Sequence, residues 1–200
     1  MKYLALGDSY TIGERVAESE RWPVVLAEKL RKDGIEIENP KIIAVTGWTT
    51  DELKAGIVKE ALKEKYGLVS LLIGVNNQYR GYDIDIYKKE FKELLDTAIG
   101  FAEGDTAKVF VVSIPDYGVT PFAKDGDIEK IAKEIEEYNA IAKNICEEQD
   151  IPFYNITPIS KKALENLDLV ANDGLHPSAL MYAEWVEFFY GDVYDLISEE

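Results

Sequence analysis

The chain has 200 residues and a formal net charge of −16, set by 22 Lys and Arg against 38 Asp and Glu. Hydrophobic residues make up 46% and charged residues 30%, a globular composition that excludes wholesale disorder, and the length suits one domain over residues 1–200. A chain this acidic repels phosphate backbones and anionic bilayers, so neither nucleic acid nor stable membrane association is expected.

Leu4 to Leu6 is a short apolar strand that ends at Gly7. It starts almost at Met1, leaves no room for a secretory leader, and predicts a cytoplasmic protein; a chain whose leader had been removed would look the same. Trp22-Pro23-Val24 opens a helix with Pro in its first turn, and Gly34 follows its end. The next strand lies within Ile35 to Val45, interrupted near Asn39-Pro40. Thr49-Thr50-Asp51-Glu52 is a capping box that starts a helix running to about Lys65.

Leu68 to Ile73 is a continuous apolar run, which suits a strand buried on both faces. Asp83 caps a helix in which Tyr87, Phe91, Leu94, Leu95, Ala98 and Ala102 recur at helical spacing. Val109 to Ile114 is another buried strand, stopped by Pro115; the loop from Pro115 to Asp127 reads as a surface flap. Ile128, Ile131, Ile135, Tyr138, Ala142 and Ile145 mark one face of a long helix, with Cys146 beside it as small core packing. Ile151 to Asn155 is the fifth strand, and a last helix starts near Ser178. The aromatics of that helix, Trp185, Phe188, Phe189, Tyr190 and Tyr194, suit either core or a dimer face, so oligomeric state stays open.

Strand and helix alternate five times, which implies a parallel sheet covered on both faces. No apolar run approaches the length of a membrane span. One cysteine allows no intramolecular disulfide, and one Cys with one His excludes a zinc site built from several such ligands. The acidic pairs Asp83 and Asp85, and Asp125 and Asp127, lack a full cation-binding loop and read as solvated surface. Asn155-Ile156-Thr157 matches a glycosylation sequon that a cytoplasmic protein would not use.

In open α/β sheets, ligands bind beyond the carboxyl ends of the strands. Four clusters fall there: Gly7-Asp8-Ser9-Tyr10, Thr46-Gly47-Trp48, Gly74-Val75-Asn76-Asn77 and Asp173-Gly174-Leu175-His176. Read as chemistry, they make a serine hydrolase. A serine hydroxyl needs a base within reach, and His176 is the sole imidazole. Asp173, three residues earlier, is placed to hold the other ring nitrogen. The N–H groups of Ser9 and Gly47 and the Asn76 side-chain amide supply donors for a developing oxyanion. Asp8 is expected to hydrogen-bond the nucleophile loop. Trp48, Tyr79, Tyr82, Tyr117 and Phe122 are candidates for an acyl pocket.

These four clusters, in this order, resemble the SGNH hydrolase (GDSL esterase/lipase) family over nearly the whole chain. The resemblance implies a flavodoxin-like three-layer α/β/α sandwich with a five-stranded parallel sheet in order 2-1-3-4-5. It implies hydrolysis of carboxylic esters or thioesters of small molecules without a cofactor. Carried over by position, Ser9 is nucleophile, Asp173 and His176 complete the triad, and Ser9, Gly47 and Asn76 form the oxyanion hole. Two positions depart from the family pattern: Tyr10 stands where Leu is common, and Asn77 where Asp is usual. The alternative is a non-catalytic flavodoxin-like module that binds flavin or phosphate. Its cradle would be Ser9-Tyr10-Thr11-Ile12-Gly13, but Asp8 and Glu14 flank that loop with negative charge and no Lys lies within it.

Overall fold

The computed structural model describes residues 1–198. Five parallel strands, β1 (Tyr3–Gly7), β2 (Lys41–Ala44), β3 (Leu68–Leu72), β4 (Val109–Val112) and β5 (Phe153–Tyr154), form one sheet in the order β2-β1-β3-β4-β5. The long helices α2 (Trp22–Lys32) and α8 (Ala179–Ser198) pack together on one face. On the other face α5 (Ile84–Phe101) packs between α3 (Thr50–Glu60) and α6 (Ile128–Glu147). Three short helices, α1 (Ser9–Ile12), α4 (Val75–Tyr79) and α7 (Thr157–Ser160), begin just past strand ends.

The order follows from right-handed crossovers: the chain moves one way from β1 to β2, then returns past β1 to build β3, β4 and β5. Every residue of β1, β3 and β4 is buried, as a strand covered on both faces requires. Ser70, the polar exception in β3, pairs its hydroxyl with Tyr3 at 2.9 Å. Under α2 and α8 the aromatic rings of Trp22, Phe110, Tyr154 and Phe189 cluster edge-on and tilted, with one stacked pair, Tyr154 on Phe189, and centroids 5.4 to 6.2 Å apart. Trp185 and Phe189 are therefore core, while Phe188 on the opposite side of α8 is exposed. Cys146 is fully buried, and burial pushes its thiol up to about 12.

Strands β3 and β4 end at Leu72 and Val112, just short of Ile73 and Ile114, and three other elements are cut back further from the sequence reading. Helix α3 stops at Glu60, not near Lys65, because Ala61 turns into the left-handed region (φ 49°) and closes the helix. Strand β2 keeps only the residues after Pro40. Strand β5 is cut to two residues: Pro152 brings no N–H to the ladder, and the Asn155 side chain accepts from Thr157 N–H to start α7. That bond also explains the sequon match, since Asn155 serves as a turn residue.

Register is what sets up the site. Gly7 lies opposite both Ala44 and Leu72, so β1, β2 and β3 end at one level. Ser9, Gly47 and Asn76 follow within a few residues of those ends. A side chain at Gly7 would meet the Thr11 hydroxyl at 2.1 Å and the Leu72 carbonyl at 2.5 Å, so only glycine lets the chain turn directly from β1 into α1.

Candidate active site

Ser9, Gly47, Asn76 and His176 line one cavity of about 150 Å³, walled on its apolar side by Tyr79, Tyr117 and Phe122. Ser9 opens α1, whose N-cap is Asp8: the Asp8 Oδ1 accepts the Tyr10 N–H at 3.0 Å. Asp173 organises the turn that carries His176. Its Oδ1 accepts the N–H groups of Leu175 and His176, each at 3.0 Å, and its Oδ2 lies 2.6 Å from His176 Nδ1. Partial burial pushes the Asp173 pKa up, but hydrogen bonds from the His176 ring and the two N–H groups outweigh it, and the carboxyl sits below its ordinary value. His176 is buried, and its imidazole rests edge-on to Tyr10, with centroids 5.8 Å apart. Nδ1 faces the carboxylate, which leaves Nε2 as the ring nitrogen available to the cavity. Ser9 Oγ makes no hydrogen bond among the described residues; such bonds often form only once substrate closes the site.

The donors are held in place by their neighbours. Asn76 Nδ2 spends one hydrogen on the Trp48 carbonyl at 2.9 Å and keeps the other. Gly47 takes φ +88°, a left-handed conformation that favours glycine, and its carbonyl accepts from Arg80 Nη2 at 2.6 Å. Arg80 is anchored in turn by Glu52 at 3.3 Å. The N–H groups of Ser9 and Gly47 have no acceptor among the described residues. Residues that carry three unspent N–H donors thus line the same cavity as Ser9 and His176.

A profile of the GDSL-like lipase/acylhydrolase family matches residues 5–184. The chain belongs to that family. An acetylxylan esterase of Geobacillus stearothermophilus is 24% identical over 154 residues; the match spans 72% of this chain and 66%, just under two thirds, of that protein. Among solved structures, TesA superposes with a TM-score of 0.74 at 17% identity, covering 98% of this chain and 99% of that one. The esterase EstA from Pseudoalteromonas sp., solved with monoethylphosphonate as inhibitor, gives 0.71 at 17% identity over 97% of both chains. A mutant of Axe2, an acetyl-xylooligosaccharide esterase from Geobacillus, gives 0.71 at 21% identity over 96% of this chain and 93% of that one. At these identities the superpositions establish the shared fold.

Asn77, where the family usually has Asp, is fully buried and uses both ends of its amide. Oδ1 accepts the Thr50 N–H at 3.0 Å, and Nδ2 donates to Thr50 Oγ1 at 2.7 Å, whose own proton goes to the Glu90 carboxylate. The loop is therefore tied to the start of α3 without a carboxylate at position 77. An aspartate there would compete with Glu90 for one hydroxyl proton.

Not every aromatic candidate reaches the cavity. Trp48 packs instead on α3, where its ring fills the space over Gly56 that any side chain would occupy. Tyr82 lines a neighbouring groove. The flap is well anchored: Asp116 is buried and accepts from Gly118 N–H at 2.9 Å, and Phe122 N–H donates to the Gly174 carbonyl at 2.9 Å, joining flap to histidine turn. Two basic residues went unseen in the sequence. Arg15, held at φ +71°, brings its Nε to 3.5 Å from Asp173 Oδ2, and Arg80 holds Gly47. Their partners are distant along the chain and no motif links them.

Proposed function

We propose that the chain is a serine esterase acting through an acyl-enzyme on Ser9. The observation that carries this is the 2.6 Å contact between Asp173 Oδ2 and His176 Nδ1, on a histidine that lines a small cavity together with Ser9, Gly47 and Asn76, which carry three unspent N–H donors. Ser9 Oγ attacks the ester carbonyl while His176 Nε2 takes its proton. Asp173 keeps the ring in the tautomer with hydrogen on Nδ1 and stabilises the imidazolium. The carbonyl oxygen gains negative charge and meets the N–H groups of Ser9 and Gly47 and the free hydrogen of Asn76 Nδ2. Collapse breaks the ester C–O bond, and the imidazolium gives its proton to the departing alcohol. Water then attacks the acyl-enzyme with His176 again as base, and the acid leaves as Ser9 recovers its proton.

The cavity has room for a short acyl chain, and its walls are mostly apolar. The proposed substrate is a small-molecule ester with a short acyl group. The esterases that superpose on the chain support the reaction class, as does the phosphonate inhibition of EstA. A cytoplasmic location is part of the same reading; the single cysteine, which leaves no disulfide to form within the chain, supports it. Among the described residues no helix is long and apolar enough to cross a membrane.

A fluorophosphonate tests the reading. It should label Ser9, located by peptide mapping, and Ser9→Ala should lose both the label and ester turnover. A label on another serine with Ser9 unmodified would overturn it.

A further inference from the structure

Of the three proposed oxyanion donors, the Gly47 N–H sits on the segment with the fewest constraints of its own. Residues 45 to 48 close through one backbone bond, from Trp48 N–H to the Val45 carbonyl at 3.2 Å, and Gly47 takes φ +88° in the third position. These are the marks of a type II turn, and the Gly47 N–H belongs to its central peptide. Glycine tolerates either sign of φ, so the turn alone does not fix where that N–H points. Little packs over the residue either. Beyond its chain neighbours, the only atom among the described residues within 4 Å of where a side chain would begin is Arg80 Nη2, at 3.6 Å.

The turn is held instead from α4. Asn76 Nδ2 donates to the Trp48 carbonyl at 2.9 Å, and Arg80, one helical turn further on, donates through Nη2 to the Gly47 carbonyl at 2.6 Å. Asn77 continues the seam by accepting the Thr50 N–H at 3.0 Å. A further tie, from Thr46 Oγ1 to Glu14 at 2.6 Å, engages the Thr46 side chain and leaves the Gly47 carbonyl to Arg80. The guanidinium is itself oriented, because Nη1 lies 3.3 Å from Glu52, which also accepts the Thr49 N–H at 3.0 Å. Arg80 and Glu52 are both half-exposed, so as an ion pair they contribute little to stability. Their consequence is geometric: a planar, charge-assisted donor is set against the carbonyl of a residue with little else to hold it.

We propose that Arg80 is a positioning residue for ester hydrolysis: its bond to the Gly47 carbonyl fixes the Gly47 peptide, so that the N–H is aimed at the oxyanion before substrate arrives. This rests on the esterase reading above, since the aim of the donor is expressed through turnover at Ser9. Oxyanion donors act by being set in place in advance, and a small misplacement forfeits much of their effect. Arg80 touches no reacting atom; it acts through Gly47.

The test replaces Arg80 and reads ground state and transition state separately. Arg80→Met keeps the aliphatic stem and removes every donor. It should melt within a few degrees of wild type and lower kcat on a short-chain ester by roughly 10- to 100-fold, because the Ser9 and Asn76 donors remain. Acylation and deacylation both pass through an oxyanion, so KM should stay within about threefold. A short alkyl trifluoromethyl ketone reports the hole directly. Ser9 Oγ adds to its carbonyl carbon, the serine proton passes to His176, and the ketone oxygen becomes the anion. Its inhibition constant should rise by the factor lost in kcat/KM. Arg80→Lys, which keeps one donor on a long stem, should recover kcat to within about fivefold of wild type. Arg80→Gln, polar and shorter, carries the same expectation as Arg80→Met and stands in for it should methionine impair folding. Turnover of a folded Arg80→Met or Arg80→Gln within about threefold of wild type would overturn the proposal and leave the esterase reading intact. So would a loss of turnover with undiminished ketone binding. A loss at about 0.05 M salt that disappears at about 0.5 M would also overturn it, since it would report a distant charge and not a hydrogen bond. Absence of ester turnover in the wild type would overturn the esterase reading itself.

Discussion

Asp173 and Asp8 carry the same side chain close to the same serine, and their surroundings treat them in opposite ways. Asp173 is partly exposed behind His176 and meets two backbone N–H groups and an imidazole; these bonds hold its carboxyl below the ordinary range. Asp8, one residue before Ser9, is wholly buried. It accepts one N–H, from Tyr10, and its Oδ2 has no partner. Burial pushes the Asp8 carboxyl up to about 7, with the Tyr10 bond only partly offsetting it. What a carboxyl can do is set by how many donors meet it and how much water does. The first is poised to hold charge at any working pH, and the second holds a proton until near neutrality.

The comparison is broken most severely at Asp173. In Asp173→Asn the amide donates to His176 Nδ1 and moves the ring hydrogen to Nε2, where it can no longer accept the Ser9 proton. Turnover should fall by about 10³–10⁴ in kcat with little change in thermal stability. Ester kinetics alongside thermal melts check both halves; retention of kcat within about tenfold would remove Asp173 from the proposed mechanism.

Asp8→Asn sharpens the other side. The variant keeps an oxygen for Tyr10 N–H but removes the titration. In the wild type the folded carboxyl holds its proton up to about pH 7, while the unfolded chain releases it near pH 4. The folded state therefore binds more protons between those values, wild-type stability falls as pH rises through that window, and the full cost is present above about pH 7. Relative to wild type, Asp8→Asn should gain about 1–3 kcal/mol between pH 4 and pH 8, read from denaturant midpoints at each pH. Parallel pH curves for the two proteins would show that Asp8 does not titrate abnormally.

Asn77→Asp places a further carboxylate in the second kind of environment. Position 77 is fully buried beside Thr50 and Glu90, so the new side chain gains neither a cation nor a spare proton. Its folded pKa should be raised, so the cost appears above about pH 4 and grows with pH. A loss of about 1–2 kcal/mol at neutral pH, recovered on acidification, is the expected result. A variant as stable as wild type at pH 7 would mean that the Thr50 hydroxyl switches partners without cost.

The parallel sheet was legible because a buried parallel strand is a continuous apolar run alternating with amphipathic helices; its order came only with the family resemblance that the four motifs carry. Leu68 to Ile73 and Val109 to Ile114 carry that signal strongly. Strand β5 carries it weakly, since at the sheet edge it pairs on one side only and Pro152 ends its ladder. The Asp173–His176 pairing was equally local: three residues on one turn suffice to bring carboxylate and imidazole together. Ser9, Gly47 and Asn76 could be named from sequence because each follows a strand end, and parallel strands in register deliver their ends to one level.

Composition, periodicity and motif order thus determined the fold class and a short roster of candidate residues, and the resemblance those motifs carry implied the strand order. Tertiary structure alone decided the rest: that Trp48 packs on Gly56 and leaves the cavity to Tyr79, Tyr117 and Phe122; that Arg15 and Arg80 support residues far away in the chain; that Asn77 works through Thr50 and Glu90; and that Asp8 is left with an unpaired oxygen. The division has a physical basis. Hydrophobic periodicity and caps are set by neighbours within a few residues, so they are written along the chain. Burial, the count of hydrogen-bond donors around a carboxyl and the walls of a cavity are sums over segments that meet only after folding.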